Sequence, residues 1–274
     1  MFRRAYYWLP PTGRRLVRRL VFLPFDLWNL ATGRPQYHGI DLPLRGEVFT
    51  GGGDFLENGL IHKKLFIQLG GLLPEHDVLD IGSGLGRMAI PLTDYLLPSS
   101  QFRGFDIVPH AVKQCQDRIS RVCPNFQFSH VPLRNDLYTD GGENAALFSF
   151  PYGDAQFDFA LATSVFTHIG PDVVIRYLQE SRRVIRKGGS AYFTFFILDE
   201  ESTANQRRDF SFKHPRHGAF YMDADVDGAN VAYPWQWLQA QANDAGWSEI
   251  NWHKGNWSDR PGETVDYQDI LILR

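Results

Sequence analysis

Residues 78–87 read VLDIGSGLGR, and no other stretch constrains the chain as tightly. A short apolar run gives way to three glycines on alternate positions, Gly82, Gly84 and Gly86, with an acid, Asp80, two residues before the first. Bare backbone at the end of a strand permits a tight turn and lets a ligand approach the main chain closely. The residues around it alternate in type. HDVLDIG (76–82), QFRGFDI (101–107), FQFSHV (126–131), FDFALAT (157–163) and SAYFTFFIL (190–198) read as buried strands. Between them, 85–97 and 110–122 read as helices, the first of them tolerating Pro91 near its start. A third helix opens at Pro171, carries Val174, Leu178, Ser181 and Ile185 as its buried stripe, and is expected to end on Lys187, Gly188 and Gly189 in a left-handed cap. Strand and helix in alternation predict an α/β fold, a mostly parallel sheet with helices on both faces and right-handed crossovers. Ligands of such sheets sit at the carboxyl ends of the strands, where the glycine turn lies.

The flanks divide the chain into an arm, residues 1–50, and a domain, residues 51–274, with long insertions at 132–152 and 199–232. A helix is expected to follow TGGGDF (50–55) as far as Leu69, and another near 234–245. SEINWHK and TVDYQDILIL read as two late strands. The 274 residues, 43% hydrophobic and 22% charged, suffice for one large core and exclude wholesale disorder. A net charge of −3 gives no general case for nucleic acid as a partner. Cys115 and Cys123, eight apart on an expected helix, suggest neither a disulfide framework nor a zinc cluster, and fit a reducing cytoplasm. No run of about 18 uncharged apolar residues is present, so a spanning helix is not expected. Arginines before LVFLPFDLWNLA faintly imitate a signal peptide, but Asp26 breaks the apolar run and no cleavage site follows.

Two cofactor classes use a glycine turn after a first strand. Dinucleotides favour G-x-G-x-x-G, whereas the spacing here is G-x-G-x-G with Arg87 next. Asp80 adds a chemical difference. A pyrophosphate beside it would be repelled by about 4 kcal/mol at 4 Å and an effective dielectric of 20. S-adenosylmethionine has no phosphate; it carries an ammonium and a sulfonium, and its carboxylate suits helix N-terminal amides. Asp106, at the end of the second strand and twenty residues after Gly86, can accept both ribose hydroxyls in either class. The plainer readings are that the glycines only make a turn and that Asp106 only caps the next helix.

VLDIGSGLGRMAIPL resembles the first motif of the class I S-adenosylmethionine-dependent methyltransferases. GFDI (104–107) is similar to their second-strand acid motif, FDFALATSVFTHI (157–169) to their fourth-strand motif, and RVIRKGGSAYFTFF (183–196) to the following helix and strand. The resemblance covers 76–198 in order, and the strand pair ending in YQDILIL matches the late strands. It implies a seven-stranded Rossmann-like sheet with the last strand reversed, and S-adenosylmethionine as cofactor. It further implies cofactor contacts from Asp80, Gly82, Ser83, Gly84, Gly86, Asp106, Ile107 and Ser164. One departure is that Pro132 stands near the place of the family's adenine-binding acid, leaving Asn135, Asp136 or backbone groups for that contact.

Methyl transfer asks the protein to position an acceptor and sometimes to remove a proton. His168, just after the fourth strand, is the candidate base; it equally suits a hydrogen bond to backbone at the next helix. His130, Asp136 and Tyr138 are weaker candidates. HPRH (214–217) lacks a nearby cysteine or acid cluster, and no metal is expected. Trp257 and Arg260, in KGNWSDRPGE (254–263), either reach the acceptor pocket or build a surface hairpin. The insertions carry Tyr138, Phe210, Phe212, His214, His217, Phe220 and Tyr221, rings that suit a sugar or a planar small molecule. O-methylation of a glycan, glycolipid or small-molecule hydroxyl is the expected reaction. The alternatives are a non-catalytic S-adenosylmethionine-binding scaffold and a nicotinamide-dependent reductase.

The arm has its own character. Residues 1–34 hold seven arginines and one acid, Asp26. A short helix near 13–31, interrupted at Pro24, places Arg14, Arg15, Arg18 and Arg19 on one face and Leu16, Leu20 and Leu23 on another. With Tyr6, Tyr7 and Trp8 upstream of Pro10 and Pro11, this is the pattern of a segment that attaches reversibly to an anionic membrane surface, with the arginines near the leaflet. The alternative is that the segment packs on the domain or on a second subunit.

Overall fold

The computed structural model describes residues 11–49, 51–139 and 141–274; Tyr6, Tyr7, Trp8 and Pro10 of the arm lie outside them. The chain opens with helix α1 (Pro11–Thr32) and a two-stranded ribbon, β1 (Gln36–Tyr37) and β2 (Ile40–Asp41). Helix α2 (Phe55–Gln68) follows, its free N-terminal amides at Leu56 and Glu57 capped by the Asp54 carboxylate. Strand β3 (Val78–Ile81), α3 (Ala89–Leu92), β4 (Phe102–Asp106), α4 (Pro109–Cys115), β5 (Phe126–His130), β6 (Phe157–Ala162), α5 (Pro171–Val184) and β7 (Ile185–Phe195) make the alternating centre. The remainder is β8 (Ile197–Leu198), α6 (Glu200–Ala204), β9 (His214–Arg216), β10 (Ala219–Tyr221), β11 (Val231–Pro234), α7 (Trp235–Asp244), β12 (Ile250–His253) and β13 (Asp269–Leu273).

Seven strands form one sheet in the order β12-β13-β7-β6-β3-β4-β5. Pairings among β3, β4, β5, β6 and β7 are parallel, and β13 runs antiparallel to both of its neighbours. The period of two along each strand divides the core between the two faces. Leu79, Ile81, Ala160, Ala162 and Phe193 pack on one side with α5 residues Val174 and Leu178. Val78, Phe159, Leu161 and Tyr192 pack on the other with Phe66 of α2 and Ile119. Both faces are therefore covered, which is why the central strands read as nearly continuous apolar runs. The order places the switch point between β3 and β6, whose carboxyl ends carry the glycine turn and Thr163–Val165.

Local expectations fail where tertiary bonds override pattern. Only Ala89–Leu92 of the expected 85–97 helix is helical, since Pro91 has no N–H to return to Arg87. The 110–122 helix is α-helical to Cys115 and then widens into a π turn over Gln116–Ser120. Helix α5 does not end on Lys187, Gly188 and Gly189. Its last carbonyls, on Arg183 and Val184, accept the amides of Ala155 and Gln156 at 2.9 and 2.7 Å, and Ile185 is already extended. Those glycines lie inside β7, where a Cβ on Gly189 would stand 2.5 Å from the Asp158 carbonyl. Pro24 does not shorten α1, which runs unbroken through it; the ring is exposed and only its own hydrogen bond is lost. The insertion at 199–232 is not simply loop. With β8 it supplies a second sheet, β8-β11-β10-β9, closed by the cluster Phe196, Leu198, Phe212 and Trp257.

Candidate functional site

The turn after β3 is held by three left-handed glycines, Gly82, Gly84 and Gly86, at φ 74°, 52° and 82°. They differ in what surrounds them. A Cβ on Gly82 would meet Val165 Cγ2 at 2.5 Å, and one on Gly86 would meet Ile119 Cδ1 at 2.4 Å. A Cβ on Gly84 would have no atom within 4 Å. Gly82 and Gly86 are thus glycines for packing, while Gly84 presents bare backbone to a cavity of about 610 Å³. Gly82 and Ser83 share the cavity wall with Gly84, and Gly86 lies beneath it.

Two acids flank the turn. Asp80 is 1% exposed and its Oδ2 has no hydrogen-bond partner. Burial, and secondarily the neighbouring Asp106, push its carboxyl well above the usual range. Asp106 is also raised by burial, against the pull of the Val108 and Gly84 amides. Its Oδ1 accepts from Val108 N and its Oδ2 from Gly84 N, both at 2.8 Å. Those bonds fix the carboxylate at the edge of the turn and leave each oxygen a further lone pair for a ligand hydroxyl. An orphaned buried carboxylate oxygen is costly unless a donor arrives, and an ammonium is the donor that gains most from it. The same pair of buried acids opposes a pyrophosphate. The residues present therefore fit S-adenosylmethionine: Asp80 would receive its ammonium, Gly84 would let it approach the backbone and Asp106 would hold its ribose.

Ile107, Ser164 and His168 complete the wall. Ser164 is left-handed at φ 58°, a conformation that costs a serine energy and is held by its amide donating to Thr194 Oγ1 at 2.7 Å. The His168 Nδ1 lies 2.7 Å from the Gly228 carbonyl oxygen. A carbonyl only accepts, so Nδ1 carries the proton and Nε2 is the bare, basic nitrogen. Burial holds His168 below the ordinary histidine range, with the Gly228 bond working against it.

Several candidates go elsewhere. Asp136 accepts from the Gly228 amide at 3.0 and 3.3 Å, so it anchors the loop that orients His168 and is not on the wall to receive adenine. Asn135 is on the wall, with its Nδ2 donating to the His168 carbonyl at 3.0 Å. His130 is exposed, sits opposite Asp106 in the β4–β5 register and does not line the cavity. Trp257 and Arg260 do not reach it either: Trp257 Nε1 donates to Asp269 Oδ2 at 2.5 Å, and Arg260 pairs with the same fully buried carboxylate. Of the insertion rings, Tyr138 and Phe210 line the cavity, joined by Phe196 and Tyr267; Phe212 is buried behind them. His214, His217, Phe220 and Tyr221 lie off the wall. Among the described residues no group of three His, Cys, Asp or Glu side chains is placed to hold a metal ion.

One constellation had no signal along the sequence. His62 of α2 lies with Nδ1 3.0 Å from the Tyr192 hydroxyl and Nε2 3.5 Å from Asp266, and His62 and Asp266 both line the cavity. Burial lowers the His62 pKa, Asp266 opposes that and Arg87 adds to it. The partners are more than a hundred residues apart in the chain; the one local hint is Asn58, a second polar wall residue four positions before His62 on α2.

Comparisons with known proteins agree with this geometry. Residues 79–193 match the family described as a methyltransferase domain. The arsenite methyltransferase of Aquipseudomonas alcaligenes is 27% identical over 138 residues, which is 50% of this chain and 38% of that protein. The chain thus spans about two fifths of the length of that relative. Among solved structures, a protein from Pyrococcus horikoshii OT3 superposes with a TM-score of 0.55 at 15% identity, covering 83% of this chain and 94% of the other. The cyclase SpnF superposes with a TM-score of 0.51 at 20% identity, covering 87% and 74%. At those identities the two structures bear on the fold alone. The glycine turn and the strand–helix alternation that follows it thus lie in a methyltransferase domain matched over residues 79–193.

Proposed function

We propose that the chain methylates a hydroxyl oxygen on a sugar, glycolipid or small molecule, with His168 as the general base. The observation that carries this reading is a single cavity that joins Asp80, Gly84 and Asp106 to a histidine whose tautomer is fixed. When bound, the cofactor supplies a methyl carbon already activated by its sulfonium. Asp80 and Asp106 hold it against the Gly84 backbone. The acceptor lies against Phe196, Phe210 and Tyr267, aromatic faces suited to a sugar ring or a planar molecule. His168 Nε2, neutral at physiological pH, takes the acceptor hydroxyl proton, so the oxygen carries no charge after methylation. The acceptor of the arsenite methyltransferase is not carried over. Arsenite binds soft thiolates, and neither Cys115 nor Cys123 lines the cavity.

Incubation of the full chain with methyl-labelled S-adenosylmethionine and a panel of hydroxyl acceptors, read by mass spectrometry, tests the proposal. Methyl transfer to a hydroxyl, greatly slowed in His168→Gln, is the expected outcome. A second reading, binding without methyl transfer, draws on the superposition with SpnF, a protein named for cyclisation. It predicts S-adenosylhomocysteine binding with no methylated product from any acceptor.

A further inference from the structure

Helix α1 is turned the wrong way round for a water-soluble domain. Its most buried residues are polar. Arg14 and Asp26 are each only 8% exposed, and the Asp26 carboxylate accepts from the Gly46 amide at 3.0 Å. Arg18 and half-buried Phe22 lie on the same inward face, the guanidinium over the ring. At 100° per residue the opposite arc, about half the circumference, holds Leu16, Val17, Leu20, Val21, Leu23, Leu27, Trp28 and Leu30. Every one of these is exposed, Leu20 at 61% and Trp28 at 69%. The apolar stripe therefore runs from Leu16 to Leu30, about 21 Å of the helix, facing away from the domain. An uninterrupted apolar face of that size in water marks a contact surface.

Charge identifies what it contacts. The one acid of the helix is turned inward onto Gly46, which leaves the outward side without negative charge. The exposed cations stand at the margins. Arg45 lies over the ring of exposed Phe25 at 5.2 Å, and Arg19 is exposed beside His110. A half-cylinder of leucine, valine and tryptophan with a cationic rim and no acid complements an anionic lipid leaflet. No helix among the described residues is long and apolar enough to cross a bilayer, so the helix would lie in the interface. We infer that α1 is an interfacial membrane anchor that inserts its apolar face and holds the domain on the leaflet by its polar one. Of the four arginines expected near the leaflet, Arg14 is instead buried against the domain. With Arg14 packed against the domain, insertion supplies most of the affinity and the rim cations Arg19 and Arg45 supply the preference for anionic lipid.

The anchor also bears on the cavity. The loop that receives Asp26 at Gly46 continues to Phe49 and Gly51–Gly53 on the cavity wall. The site therefore sits close to the leaflet that α1 enters.

The test is sedimentation of the full chain with vesicles of phosphatidylcholine containing phosphatidylglycerol, alongside the variant Leu20→Glu/Leu27→Glu. Both side chains are exposed, so the variant should keep the wild-type circular dichroism and melting curve. The expected result is vesicle binding by the wild type and a drop of about a hundredfold or more in partition for the variant, from the loss of two leucines in the interface. Brominated acyl chains should quench the wild type, and the quenching should fall in Trp28→Phe. Three outcomes would overturn the inference: no binding by the wild type, equal binding by the variant, or a wild-type dimer that the variant dissociates without either form pelleting. The last would make the face a contact between two copies of the chain.

Discussion

Burial drives both Asp80 and His168 toward their neutral forms, and each has a consequence that pH reveals. An ammonium bound at Asp80 favours the carboxylate, so the complex holds its proton less tightly than the free protein does. Cofactor binding should release a proton, and affinity should rise with pH up to the raised pKa of the free protein. Calorimetry in buffers of different ionisation enthalpy reads the proton directly; zero release at every pH from 3.8 upward would remove Asp80 from the ammonium contact. For His168 the sign is opposite in origin. Its folded pKa lies below 6.5, so turnover should rise through that lowered value and stay level above it. His168→Ala should lower kcat by about 10²- to 10⁴-fold while leaving S-adenosylhomocysteine affinity unchanged. The same depressed pKa costs stability on acidification. The unfolded chain takes up the proton near 6.5 and the folded one lower, so stability should fall between those two values and a His168→Gln variant should show a flatter melting-temperature profile there.

Strand β13 depends on its first residue more than on its apolar run. Asp269 is fully buried and accepts from the Ile197 and Gly255 amides and from Trp252 and Trp257, and it pairs with Arg260. It ties β13 to β8 and to the loop at 255–260. Removing one partner of a buried pair leaves the other uncompensated, so Asp269→Ala should cost about 3–5 kcal/mol by chemical denaturation. A loss below 1 kcal/mol would show that the two indoles and the amides find substitutes. The case marks where pattern reading stops. DILIL is legible as a strand because four consecutive apolar residues are buried on both faces. The role of Asp269 is not legible, since its partners lie 9 to 72 residues away in sequence. Helix α5 shows the same limit. Its start at Pro171 and its stripe are local properties, but its end is set by amides from 155 and 156. The strands β8 to β11, two to four residues each, are too short to carry a period of two.

Across the molecule, the half of the site built at one strand end was readable in advance. Asp80, the glycines and Asp106 sit on consecutive strands of a regular alternation, which brings them together by topology alone. The half formed by His62, Asp266 and the aromatic wall depends on how α2, the second sheet and the 264–268 loop meet over the sheet edge, and no local pattern encodes that meeting. The proposed methyl transfer requires the cavity over Gly84 to be the cofactor site. Titration calorimetry of the full chain and of Gly84→Val with S-adenosylhomocysteine decides it. Wild type should bind one equivalent. The valine side chain would enter space with no protein atom within 4 Å of its Cβ, with backbone strain from the left-handed φ as its cost, so the variant should give no binding heat while keeping a folded circular dichroism spectrum at a lowered melting temperature. No heat from folded wild type, or wild-type affinity in a folded Gly84→Val, would contradict the account.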